Sequence, residues 1–233
     1  MNVENAPKEA VQLYYAIFEA YLDVGTELIG ENVIEEQIVP RMKYYIDAFL
    51  PEMGLTTDEA TLFLLDFKDF LEKAIFDDTE TITYEDVWKL RAIIFGFENA
   101  FLEILGEGAV KKYVLSKIGD YLVSYLPEIF ASQGLSLQEK LDVYLDFLKK
   151  NKFIKAGKVK EKQGQIQFSS NHCIFAAIHD SVAYRDGKTR FCPWGMIATA
   201  IAFNHFQINT SRLETTFTYR GSITNINLKE SQT

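Results

Sequence analysis

Two short motifs recur in the first 150 residues at one fixed separation, and this constrains the fold more than any other feature. Leu28-Ile29-Gly30-Glu31 returns as Ile104-Leu105-Gly106-Glu107, and Leu50-Pro51-Glu52-Met53 returns as Leu126-Pro127-Glu128-Ile129. Both pairs are shifted by 76 residues, so the motifs are equally spaced in the two copies. After a four-residue insertion, Gly54-Leu55-Thr56 has a counterpart in Gly134-Leu135-Ser136. Equal spacing makes coincidence a poor explanation, and the expectation is a duplicated three-helix unit packed in the same way twice about a pseudo-twofold axis. The period is longer than in the common helical repeats, and two copies are too few for a solenoid.

The hydrophobic pattern of this half has the three-and-four spacing of helices. Six stripes are expected. Val11, Tyr14, Tyr15, Phe18, Leu22, Gly25 and Ile29 form the first. The second runs Ile34, Ile38, Met42, Tyr45 and Phe49, with a kink or a late helix start at Pro40. The third is Ala60, Phe63, Leu64, Phe67 and Leu71, and the fourth is Val87, Leu90, Ile94, Phe97, Phe101 and Leu105. Val110, Val114, Ile118, Tyr121 and Tyr125 make the fifth, and Leu141, Tyr144, Leu145 and Leu148 the sixth. Thr56 with Glu59, Thr83 with Asp86 and Ser136 with Glu139 have the spacing of capping boxes, in which a hydroxyl and a carboxylate satisfy the first free amides.

After Asn151 the period shifts towards two. Residues 159–162, a Gln163-Gly164 turn and residues 165–169 read as a hairpin. Cys173 opens an apolar run, and Cys192-Pro193 leads into a buried helix over 194–206, with proline suited to the first helical position. A second hairpin closes the chain around Arg220-Gly221. The fold class expected is α+β: a duplicated helical half, then an antiparallel four-stranded sheet with a packed core helix. Residues 1–80 are expected to form a helical extension, a partial repeat of the helices that follow, and 81–233 an α/β domain.

Charge divides along the same line. The 233 residues carry a net charge of −9, but residues 1–150 sum to −15 and residues 151–233 to +6. The acidic total argues against nonspecific nucleic-acid binding. Lys152, Lys155, Lys158, Lys160 and Lys162 sit at the junction; an edge strand guarded by lysine explains them, and binding of an acidic partner or a nucleic acid is the alternative. Two cysteines cannot build a disulfide framework, and residues 1–9 lack a signal peptide's basic start and apolar stretch, so a cytoplasmic location is expected. The longest uncharged run, 191–211, contains Pro193, Asn204, His205, Gln207 and Asn209 and reads as buried, with no membrane span expected.

The ordered set of the Leu105-Gly106-Glu107 helix, the capped 135–139 helix start, a hairpin, Cys173-Ile174-Phe175-Ala176, the Cys192-Pro193 helix, Leu213-Glu214 and the Gly221 hairpin resembles the 4-vinyl reductase domain. That hydrocarbon-binding family shares its fold with core subunits of transport-particle vesicle-tethering complexes. The resemblance covers residues 81–228. It implies homodimerisation through helices and an apolar pocket for a hydrophobic small molecule or acyl chain. Phenol-sensing members hold zinc with a cysteine opening the core helix, a glutamate in the next strand and two further cysteines. Cys192 and Glu214 match the first two positions, but Phe217 and Asn225 stand at the others, so no zinc or other cofactor is expected.

The residues by themselves nominate no catalytic group. His172, Cys173, His179, Cys192 and His205, with Asp180 and Glu214, lack the paired spacings of a metal site, and neither cysteine has a nucleophile-elbow or papain-type surround. No glycine loop for phosphate is present. On the core helix Cys192, Trp194, Met196, Thr199 and Phe203 are the pocket candidates, since Met196, Thr199 and Phe203 share a face. Tyr121 and Tyr125 join them as phenols beside an apolar stripe. Two functions follow: a non-catalytic hydrophobic-ligand sensor that signals through a protein partner, or a dimeric scaffold like the vesicle-tethering subunits. An enzyme of tetrapyrrole chemistry, which the family name suggests, has no residue to support it.

Overall fold

The computed structural model describes residues 5–6, 8–49, 83–125, 134–162, 164–173, 192–206, 213–218 and 220–228. These contain helices and a four-stranded antiparallel sheet, an α+β architecture. The chain divides into two compact units, 1–107 and 108–233. The third stripe and the Thr56/Glu59 box lie outside the described residues, as does the Asp86 side chain of the Thr83 box.

In the first unit α1 (Lys8–Ile29) ends at Gly30, a short α2 (Glu31–Val33) enters a π-turn (Ile34–Ile38), and α3 (Val39–Phe49) follows. Helix α4 (Tyr84–Ala109) is broken at Gly106, and a second π-turn (Val110–Val114) leads into α5 (Leu115–Tyr125). The same succession therefore occurs twice at a shift of 76 residues. Even the backbone angles repeat: Gly30 has φ 84° and ψ 154°, Gly106 φ 79° and ψ 162°. That region belongs to glycine, because a Cβ there clashes with the flanking peptide groups. Each π-turn closes with the five-residue bond that defines it, Val39 N–H to the Ile34 carbonyl and Leu115 N–H to the Val110 carbonyl. Pro40 follows the first turn, but its counterpart is Ser116, so proline is not what opens the wide turn. The expected kink at Pro40 is a π-turn completed just before it.

Helices α1 and α4 run parallel. Phe18 meets Phe97 at 5.5 Å between ring centroids and Tyr21 meets Phe101 at 5.3 Å, so the contacts advance in the same direction on both. Residues 13–21 are buried on every side, a wider contact than one stripe, whereas Leu22 and Ile29 of that stripe are only half-buried. Gly96 lets α3 approach α4, since a Cβ there would strike Met42. Arg41 and Tyr45 of α3 both reach the Glu103 carboxylate of α4, at 3.1 and 3.0 Å.

The second unit contains α5, α6 (Leu137–Lys150), β1 (Ala156–Lys162), β2 (Gln165–Asn171), α7 (Pro193–Phe206), β3 (Leu213–Thr218) and β4 (Gly221–Asn227), with strand order β1-β2-β4-β3. Helix α6 starts at a complete capping box: Ser136 Oγ accepts from Glu139 N–H at 3.3 Å, and the Glu139 carboxylate accepts from Ser136 N–H at 2.7 Å. The Ser136 hydroxyl, which also donates to the Glu139 carboxylate at 2.7 Å, and then the Ser136 N–H favour the ionised acid and lower its pKa. Edge strand β1 has Lys158 and Lys160 exposed. The register places Val159, Phe168, Thr224 and Thr215 in one inward row, with all four buried. Its neighbour row is Lys160, Gln167, Asn225 and Glu214, in which the Gln167 amide donates to Asn225 Oδ1 at 3.1 Å. Helix α7 lies on the inward face against β2 and β4, with α5 and α6 also packed on it.

Candidate functional site

Helix α7 is apolar nearly all round, and residues 192–202 are buried without a break. Proline at its first position needs no N–H partner, and the Cys192 carbonyl accepts the Met196 N–H at 2.8 Å. Small residues allow the helix onto the sheet. A Cβ at Gly195 would collide with the Thr224 hydroxyl, so only glycine fits there without a shift.

The polar groups gather at the helix's N-terminal end. Ser222 Oγ donates to Cys192 Sγ at 3.0 Å and lies 3.0 Å from Ser170 Oγ, linking the helix start to facing residues of β2 and β4. Trp194 Nε1–H donates to Cys173 Sγ at 3.3 Å, while the Trp194 ring lies 4.9 Å from that of Phe153. Tyr144 of α6 donates its hydroxyl to the Trp194 carbonyl at 3.2 Å and stacks on Phe168. Burial, followed by the nearby Cys192 and Cys173 thiols, raises the Tyr144 phenol well above its ordinary pKa, so it stays neutral and serves as a donor.

Of the sequence candidates, Cys192 and Trp194 meet in this cluster. Met196 and Thr199 are fully buried further along α7, but Thr199 Oγ1 donates at 2.7 Å to the Gly195 carbonyl of its own helix, which spends its one proton there. Phe203 lies in the last turn of α7, and its side chain is outside the described residues, like those of Tyr125 and Glu214. Tyr121 is half-buried on α5. Among the described residues no group of three or more His, Cys, Asp or Glu side chains could hold a metal ion. No helix of the described residues is long and apolar enough to cross a membrane.

Sequence reasoning missed two groupings. Cys173 enters the cluster because His172 has φ 53°, which breaks the strand alternation after Asn171. In the first unit, Arg91 and Glu98 form an ion pair at 3.5 Å with side chains 3% and 4% exposed. Arg91 Nε and the neighbouring Tyr21 hydroxyl have no hydrogen-bond partner among the described residues. Burial first, then the Glu98 carboxylate, holds the Tyr21 phenol well above its usual pKa, with Arg91 opposing. Their seven-residue spacing in phase with Val87 and Ile94 was the available signal. Comparison of the chain with protein-family models, curated proteins and solved structures found no match.

Proposed function

We propose that the chain is a non-catalytic binding module for a hydrophobic small molecule or an acyl chain, of the 4-vinyl reductase type. The observation that supports this is the composition around α7: a continuous buried apolar helix with its few polar partners, Cys192, Ser222, Trp194, Cys173 and Tyr144, collected at one end. Apolar walls with a small number of placed polar groups are what a site for such a ligand requires. Cys192, Trp194, Met196, Thr199 and Phe203 are assigned to its wall, with Tyr121 and Tyr125 on α5 beside it. Phe203→Asp then abolishes ligand retention, because a charge in an apolar wall costs far more than the contact it replaces. Cys192→Ser retains the ligand and changes no metal content. One zinc per chain, lost in Cys192→Ser, would contradict this assignment; a folded Phe203→Asp protein that keeps its ligand would place the pocket elsewhere.

The second reading is a homodimeric scaffold resembling the vesicle-tethering subunits. It is favoured by large apolar side chains left on the surface, Tyr44 at 63% exposure foremost, with Leu28, Tyr113, Val123 and Val143.

A further inference from the structure

The two π-turns are copies in backbone and opposites in charge. In each, the first and fifth residues are buried, Ile34 and Ile38 in one and Val110 and Val114 in the other. The three residues between form an outward knuckle. In the first knuckle these are Glu35, Glu36 and Gln37, all exposed; the exposed Glu31 before it has the equally exposed Glu107 as its counterpart before the second. The 76-residue shift places Lys111, Lys112 and Tyr113 at the same three positions of the second, with Lys112 and Tyr113 exposed. Lys112 Nζ lies 4.8 Å from the centre of the Tyr113 ring, which holds the ammonium at the tip. Each knuckle also has an apolar neighbour on the surface: Leu28, 43% exposed, just before the Gly30 break, and Tyr113 itself, 40% exposed.

We infer that the acidic knuckle of one chain docks on the basic knuckle of a second copy of the same chain. Duplication explains why the shapes match, and the Glu-Glu to Lys-Lys exchange explains why unlike knuckles attract while like knuckles repel. Each chain offers an acidic and a basic knuckle, so the acidic knuckle of one copy meets the basic knuckle of the other. Exposed pairs are individually weak, so these charges select the partner and its orientation, with Leu28 and Tyr113 supplying apolar contact. The inference rests on the homodimer of the second reading above and is independent of the ligand.

Sedimentation of the full chain tests it. The wild type associates at micromolar concentration and loosens when salt is raised to about 1 M, where screening acts over roughly 3 Å. Glu35→Lys/Glu36→Lys leaves a chain with two basic knuckles, and Lys111→Glu/Lys112→Glu a chain with two acidic ones. Each alone associates about tenfold or more weaker than the wild type. Mixed in equal amounts they regain wild-type association as a heterodimer, which also shows that both are folded. A monomeric wild type would overturn the homodimer and this surface together. A wild-type dimer with charge variants that associate equally well, or a mixture no tighter than its parts, would overturn the surface alone.

Discussion

One left-handed residue decides which side chain enters the core at the end of β2. Alternation would turn His172 inward, but its φ of 53° hands that place to Cys173, which then accepts the Trp194 indole hydrogen. Nothing in the residue types announces this, since histidine adopts that region only occasionally. The Ser136–Glu139 box was legible because both partners lie within one helical turn. The Arg91–Glu98 pair was harder to read: charged residues on a helix ordinarily mark its solvent face, and only the phase of these two with Val87 and Ile94 points inward. Its energetics are checkable. Arg91→Met leaves the Glu98 carboxylate buried without its guanidinium and should cost about 3–5 kcal/mol in urea unfolding, and Arg91→Met/Glu98→Leu should recover most of it. At the core helix, Gly195→Ala drives a methyl into Thr224 and should cost about 1–3 kcal/mol, whereas Gly108→Ala, with open space around its Cβ, should not destabilise.

At the scale of elements the duplication is carried by its breaks as much as by its helices. Gly30 and Gly106 end equivalent helices with nearly the same φ and ψ, and each is followed after three residues by a π-turn. Gly30→Ala and Gly106→Ala should each destabilise the protein by about 1–3 kcal/mol, since both occupy a region almost closed to other residues. Equal losses in the two variants, measured by thermal unfolding, are expected of equivalent positions; a neutral substitution at either would show that its positive φ does not require glycine. The glycines were legible in the repeated motifs, and so was the 76-residue shift. The π-turns were not, because they form equally before Pro40 and before Ser116 and depend on burying both Ile34 and Ile38, or Val110 and Val114, on one side. Hairpins were readable from the Gln163-Gly164 and Arg220-Gly221 turns. The pairing of β2 with β4 was not, because it joins residues 50 to 62 positions apart with no local signal.

For the whole molecule, we propose that a chain with this helical duplication and this sheet-backed core helix holds an apolar guest. Residues 192–202 are buried throughout, and fully burying a large apolar side chain is worth about 1.5–3 kcal/mol, so most of the helix serves stability whether or not a ligand is present. What separates a binding module from an ordinary core is occupancy. Native mass spectrometry of the gently purified full chain reads it directly, with organic extraction of the same sample to identify the guest. The expected mass exceeds that of the polypeptide by one hydrophobic small molecule or acyl chain per chain, released by solvent. A protein at its bare polypeptide mass, which also takes up no fatty acid or aromatic hydrocarbon offered in excess, would contradict it.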